Sequence, residues 1–179
     1  MARALLIIDF QNDFTAGGAL AVPDGDAIAG RVNELIDSGH FDLVVATRDW
    51  HPPDHGSFAA QGGPWPPHCV QGSPGAELHS SLPRERIDIV VNAGYEPHLE
   101  GYSGFEETDL AAVLREHEID ELTVVGLATD YCVRATALDA LREGFRVTLD
   151  RAAVRGIDVE PGDSERALDE VRGAGATVR

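Results

Sequence analysis

The sequence predicts an α/β fold: one domain holding a doubly wound, mostly parallel sheet of five or six strands, with helices on both faces. Three observations predict it. Short apolar runs alternate with segments of helical periodicity along the chain. The runs lack polar alternation, as in strands buried on both faces. The length, 179 residues, suits one domain, and an apolar content of 43% is enough to build its core.

Residues 4–8 predict a central strand, and Asp9 follows at the sheet edge where ligands of α/β proteins sit. Residues 25–38 place Ile28, Val32, Leu35 and Ile36 on one helical face, and Gly39 stops the helix. Residues 41–46 predict the second strand, which runs toward Asp49, His51 and His55. Residues 56–82 are rich in glycine and proline. They predict a long loop, of a length usually tied to function, that carries Trp65, His68 and Cys69. Residues 87–91 predict a third strand. Residues 106–116 predict a helix whose first turn holds Glu106, Glu107 and Asp109, suited to the positive end of its dipole. The run 122–125 predicts a fourth strand, ended by Gly126, and residues 130–142 a helix with Cys132 in its first turn. A strand at 145–149, a helix at 164–171 and a short strand at 176–178 complete the reading.

Composition excludes several classes of function. The formal net charge of −17 argues against nucleic acid or an anionic membrane as partner. No apolar run reaches membrane-spanning length. The chain enters a strand directly at its start, without the pattern of a signal peptide, so a cytoplasmic protein is expected. Two cysteines, Cys69 and Cys132, do not suggest a disulfide framework. All 14 basic residues are arginine; there is no lysine.

The chemistry-bearing residues each have two readings. Cys132 is either a buried core cysteine or a nucleophile at a strand–turn–helix junction, where outward amides and the helix dipole lower a thiol pKa. Asp9 is either a turn aspartate or an acid/base. Asp49 and His51, two apart, share a side of an extended backbone. With His55 and His68 they offer a carboxylate and up to three imidazoles to Zn²⁺, Fe²⁺ or Mn²⁺. Histidines beside prolines are also common in plain loops.

The motifs taken together decide among these. The segment Gly126-Leu-Ala-Thr-Asp-Tyr-Cys-Val-Arg134, the opening Asp9-Phe-Gln-Asn-Asp-Phe14, the pair Asp49-Trp-His-Pro-Pro-Asp-His55 and Trp65-Pro-Pro-His-Cys69, and Tyr102-Ser-Gly-Phe105 resemble the nicotinamidase/pyrazinamidase branch of the isochorismatase-like cysteine hydrolases. The resemblance implies Cys132 as nucleophile and Asp9 as acid/base. It implies an oxyanion hole from the amides of Ala128 and Cys132, with a cis bond before Ala128. Asp49, His51 and His68 become metal ligands, with His55 a less certain fourth. Phe14, Trp65, Tyr102 and Tyr131 line the substrate pocket. The implied cofactor is one divalent transition metal, Zn²⁺ first, with Fe²⁺ or Mn²⁺ as alternatives. The implied partner is a small heteroaromatic carboxamide, and the protein a monomer or homodimer.

One position departs from the pattern. The family's third catalytic residue is a lysine, and its place falls on Ala93. With no lysine elsewhere, the expectation is an inactivated nicotinamidase in which an engineered Ala93 stands where the parent has lysine; a natural divergent member is the other reading. A hydrolase for another amide or lactam, and a non-catalytic metal- or ligand-binding relative, also stay open.

Overall fold

The computed structural model describes residues 1–179. Its centre is β1 (Ala2–Ile8), whose residues from Ala4 onward are all buried. The side chains alternate between two cores: Ala4, Leu6 and Ile8 pack into one, Leu5 and Ile7 into the other. A strand buried on both faces reads as an unbroken apolar run, which is why the sequence shows one here. β2 (Leu43–Asp49), β3 (Ile89–Ala93), β4 (Ile119–Leu127), β5 (Arg146–Arg155) and β6 (Thr177–Val178) join it in the order β3-β2-β1-β4-β5-β6. Every pairing is parallel.

Helix α1 (Ala29–Asp37) covers one face through Val32, Leu35 and Ile36. Helices α2 (Leu110–Glu116), α3 (Arg134–Arg142) and α4 (Asp163–Gly173) cover the other through Leu110, Leu114, Ala137, Ala140, Leu168 and Val171. The expected doubly wound sheet is therefore present, with six strands and no antiparallel member. Arg31 of α1 reaches the buried Asp150 of β5 at 2.8 Å, tying the first helix to the far side of the sheet.

Several boundaries differ from the sequence reading, each for a physical reason. β2 and β3 each run on past the predicted end, so Asp49 and Ala93 are strand residues, paired across the register. Gly126 does not end its strand but lies inside β4. The helix expected at 106–116 begins at Leu110. Glu106 is not in its first turn: its carboxylate accepts from the Glu100 and Gly101 amides at 3.0 and 2.6 Å, closing the loop before it. β5 is longer than expected, because the sheet register breaks between Val124 and Gly126 and resumes at Val154.

Gly126 has φ +119° and lies opposite Ile8; a Cβ there would stand 2.0 Å from the Ile8 carbonyl oxygen. The glycine lets β1 and β4 close at their carboxyl ends. Gly126→Ala is expected to destabilise the fold by roughly 3 kcal/mol, the cost of forcing atoms into a packed interior. The urea midpoint measures this; an unchanged midpoint contradicts it.

Candidate active site and metal centre

The strand order reverses direction between β1 and β4, and crevices at such switch points bind ligands in open α/β sheets. Asp9 leaves β1 here and Cys132 follows β4. Their reactive atoms, together with a carboxylate oxygen of Asp49, lie within 4.8 Å of one another. All three residues are buried.

Asp9 has φ 45°, a left-handed conformation that aspartate tolerates better than most residues. Thr47 of β2 fixes it there. The Asp9 amide donates to the Thr47 carbonyl at 3.2 Å, and the Thr47 hydroxyl donates to Asp9 Oδ1 at 2.6 Å.

Cys132 lies in a π-helical turn, Thr129–Val133, that precedes α3. The expected regular first turn of a helix is thus a wider one, and the Tyr131 and Val133 amides both donate to the Ala128 carbonyl at 3.1 Å. The Leu127–Ala128 peptide bond is cis.

The expected depression of the Cys132 pKa is not found. Burial pushes the thiol well above its ordinary range, and the neighbouring Asp9 and Asp49 carboxylates push it further. Burial likewise raises Asp9, with Asp49 adding to it and the Thr47 hydroxyl opposing. Burial of the thiol and the two carboxylates beside it both favour the neutral form, and the expectation from the helix terminus left them out. Ala93, where the resemblance puts a lysine, ends β3 as a buried residue, and its carbonyl accepts from the Trp50 amide at 2.9 Å.

The second cluster is Asp49, His51 and His68. His51 Nδ1 faces the Gly94 carbonyl at 2.8 Å, and His68 Nδ1 faces the Pro66 carbonyl at 2.8 Å. Each carbonyl fixes a tautomer with the proton on Nδ1, which turns both Nε2 lone pairs toward Asp49 Oδ2, at 3.2 and 3.8 Å. Two imidazole lone pairs and a carboxylate converging in a buried place is a donor set for a cation, completed by carbonyls behind the histidines. These residues fit a divalent transition metal. Burial pushes the Asp49 carboxyl up, but His51 and His68 outweigh it and hold it at about 2. Burial works against the His51 imidazolium, but Asp49 and the Gly94 carbonyl outweigh it and raise its pKa.

His55, the less certain fourth, is placed differently. Its ring stacks on His51 at 3.8 Å, with Nδ1 at 2.7 Å from the Ser57 hydroxyl and Nε2 at 2.8 Å from the Leu99 carbonyl. Both nitrogens are engaged, so it buttresses His51 from outside the three-residue cluster.

The aromatic residues gather around the same crevice. The Phe14 ring lies 5.6 Å from that of His68. Trp65 Nε1 donates to the Tyr102 hydroxyl at 3.0 Å, and Tyr131 contacts both, 5.2 Å from Trp65 and 5.5 Å from Tyr102.

Three supporting residues were given no role in the sequence reading. Thr47 is one. Gln11 is fully buried and clamps Asp49: its Oε1 accepts from the Asp49 amide and its Nε2 donates to the Asp49 and Ala76 carbonyls, each at 2.8 Å. Asp13 accepts from the Cys69 amide at 2.8 Å and so holds the chain next to His68. Gln11 and Asp13 belong to the opening motif, and two polar residues directly after a buried strand are the available signal. Thr47 carries none beyond its place in an apolar strand.

Comparison with known proteins agrees with this geometry. A family model, the isochorismatase domain, matches residues 3–179. The nicotinamidase of Escherichia coli is 46% identical, over 98% of this chain and 93% of the relative. The nicotinamidase/pyrazinamidase of Mycobacterium tuberculosis is 44% identical, over 96% of this chain and 95% of the relative. Among solved structures, the pyrazinamidase of Pyrococcus horikoshii in complex with zinc superposes with a TM-score of 0.92 at 51% identity, covering 100% of this chain and 99% of that one. A protein of L. infantum in complex with nicotinate gives 0.95 at 38% identity, covering 99% and 92%. By the match along almost its whole length and by these relatives, the chain belongs to the isochorismatase-domain family.

Proposed function

We propose that this protein is an amidohydrolase that converts nicotinamide, and pyrazinamide with it, to the carboxylic acid and ammonia. One observation carries the reading: a buried Asp9–Cys132 pair stands beside the Asp49–His51–His68 cluster, and Tyr102 and Tyr131 pack against the core that holds Cys132. The nicotinamidase relatives support the substrate.

In this mechanism Asp9, positioned by Thr47, takes the Cys132 proton. The thiolate attacks the carboxamide carbon while the amides of Ala128 and Cys132 hold the oxyanion. Asp9 returns the proton to departing ammonia, leaving a Cys132 thioester. Asp9 then draws a proton from water, which attacks the thioester, and the acid leaves as the proton returns to the thiol. The raised Asp9 pKa suits a group that must hold a proton between steps. Asp49, His51 and His68 would hold a divalent metal, Zn²⁺ first, which supplies a Lewis acid for the substrate's ring nitrogen. The zinc complex of the pyrazinamidase neighbour supports that choice. Phe14, Trp65, Tyr102 and Tyr131 would pack around the ring. A cytoplasmic location is part of the same reading.

Ala93 sets the rate in this proposal. Without a lysine the thiol lacks a cationic neighbour, and turnover falls about 10²-fold, the scale of losing one electrostatic partner of a transition state. Ammonia release from nicotinamide, measured for this protein beside Ala93→Lys, tests the reading. Higher turnover in the lysine variant is expected. Two inert proteins that still bind metal contradict the nicotinamide assignment.

Metal binding also has a predicted pH dependence. His51 must be neutral to ligate, and its pKa is raised, so part of the protein carries a His51 proton that metal has to displace. Zn²⁺ affinity should therefore weaken as pH falls through the His51 titration and level off above it. Competition with a chromophoric chelator across pH measures this; an affinity flat below neutrality argues against His51 as ligand.

A further inference from the structure

We propose that Asp9, Asp49 and Cys132 form a second divalent-cation site that shares Asp49 with the His51–His68 centre, and that a thiophilic ion bound there blocks the nucleophile. The inference takes Asp49, His51 and His68 as the first site, as read above, but does not depend on the substrate.

Geometry carries it. The three ligand atoms lie within 4.8 Å of one another, and the residues are 2%, 4% and 6% exposed. Asp49 Oδ2 is turned to the His51 and His68 imidazoles. Its Oδ1 is buried with no hydrogen-bond partner, one of two such side-chain atoms in the chain. A buried carboxylate oxygen without a donor calls for one, or for a cation. Within 4.8 Å of a carboxylate oxygen of Asp49 stand the Asp9 carboxylate, one oxygen of which is held by Thr47, and the Cys132 thiol.

No lysine or arginine neutralises this group; the only basic partners of Asp49 are the His51 and His68 imidazoles of the first site. The chain has no lysine, and none of its arginines pairs with Asp9 or Asp49; their carboxylate partners lie elsewhere, as with Arg31 on Asp150 and Arg134 on Glu170. Two carboxylates and a sulfur suit Zn²⁺ or Co²⁺, whereas Mg²⁺ favours oxygen ligands alone. Coordination breaks the S–H bond of Cys132, the proton goes to solvent, and the sulfur pair becomes a metal bond. A sulfur so held cannot attack a carbonyl. Lacking an imidazole of its own, this site fills after the first, so excess Zn²⁺ would act as an inhibitor and excess Mg²⁺ would not.

Cobalt provides the test, since a Co²⁺–thiolate bond gives a near-ultraviolet charge-transfer band. Metal-free protein is titrated with Co²⁺, and bound metal is counted by equilibrium dialysis. Two equivalents are expected, with the band appearing on the second. Cys132→Ser, nearly isosteric, should bind one equivalent without the band. His68→Ala should weaken the first equivalent and keep the band. A single equivalent without a thiolate band in the unaltered protein overturns the proposal. So does a single equivalent that carries the band, which would mean one site using Cys132. These counts are read without substrate, so a failure of nicotinamide hydrolysis leaves them intact, and a failed count leaves the hydrolysis reading intact.

Discussion

At Ile8 and Gly126 the backbones of β1 and β4 run so close that only a glycine fits. Much of the reactive end follows from this approach. It brings Asp9, which leaves β1, to the turn that carries Cys132 after β4. The same place is where strand order reverses, the position at which open α/β sheets bind ligands. A wider separation of the two strands would leave an acid and a thiol on opposite sides of a cleft, with no proton path between them.

The metal cluster is built by a different device. Asp49 is a strand residue, but His68 comes from the long glycine- and proline-rich loop, which has little regular structure to hold it. Side chains of the opening motif do that work. Gln11 holds the backbone of Asp49 and the Ala76 carbonyl in one grip, and Asp13 holds the amide of Cys69. A single turn after β1 thus positions Asp9 by its own backbone and secures the loop that brings His68. Gly94 adds to this: its carbonyl fixes His51, and a Cβ there would stand 2.6 Å from the His51 ring.

The apolar runs made the layered fold legible, because a strand buried on both faces leaves a continuous signature. The order of the strands was not legible, since it depends on which crossover goes which way. The places of Asp9, Asp49, His51, His68 and Cys132 followed from short motifs at strand ends, and the structure brings these residues into one crevice. What sequence could not supply was the balance of charge across the sheet. Cys132 read as an activated thiol when judged by its own turn, whereas burial first, and then Asp9 and Asp49 from distant parts of the chain, push its pKa the other way. His55, the less certain fourth of the expected ligands, has its ring nitrogens facing the Ser57 hydroxyl and the Leu99 carbonyl. Glu106 read as a first-turn acid favoured by a helix dipole and instead closes a loop. Each of these depends on a partner that spacing does not reveal.

The central claim is that Cys132 attacks a carbonyl carbon attached to a pyridine ring held in this crevice. Pyridine-3-carbaldehyde, labelled at its carbonyl carbon, tests it most directly by NMR, because an aldehyde captured by a thiol becomes a tetrahedral hemithioacetal. The account predicts that the labelled resonance moves from the aldehyde region to the tetrahedral region on adding the metal-loaded protein, and that Cys132→Ala leaves it unmoved. An aldehyde resonance unchanged by the unaltered protein, or shifted equally by the alanine variant, would contradict it.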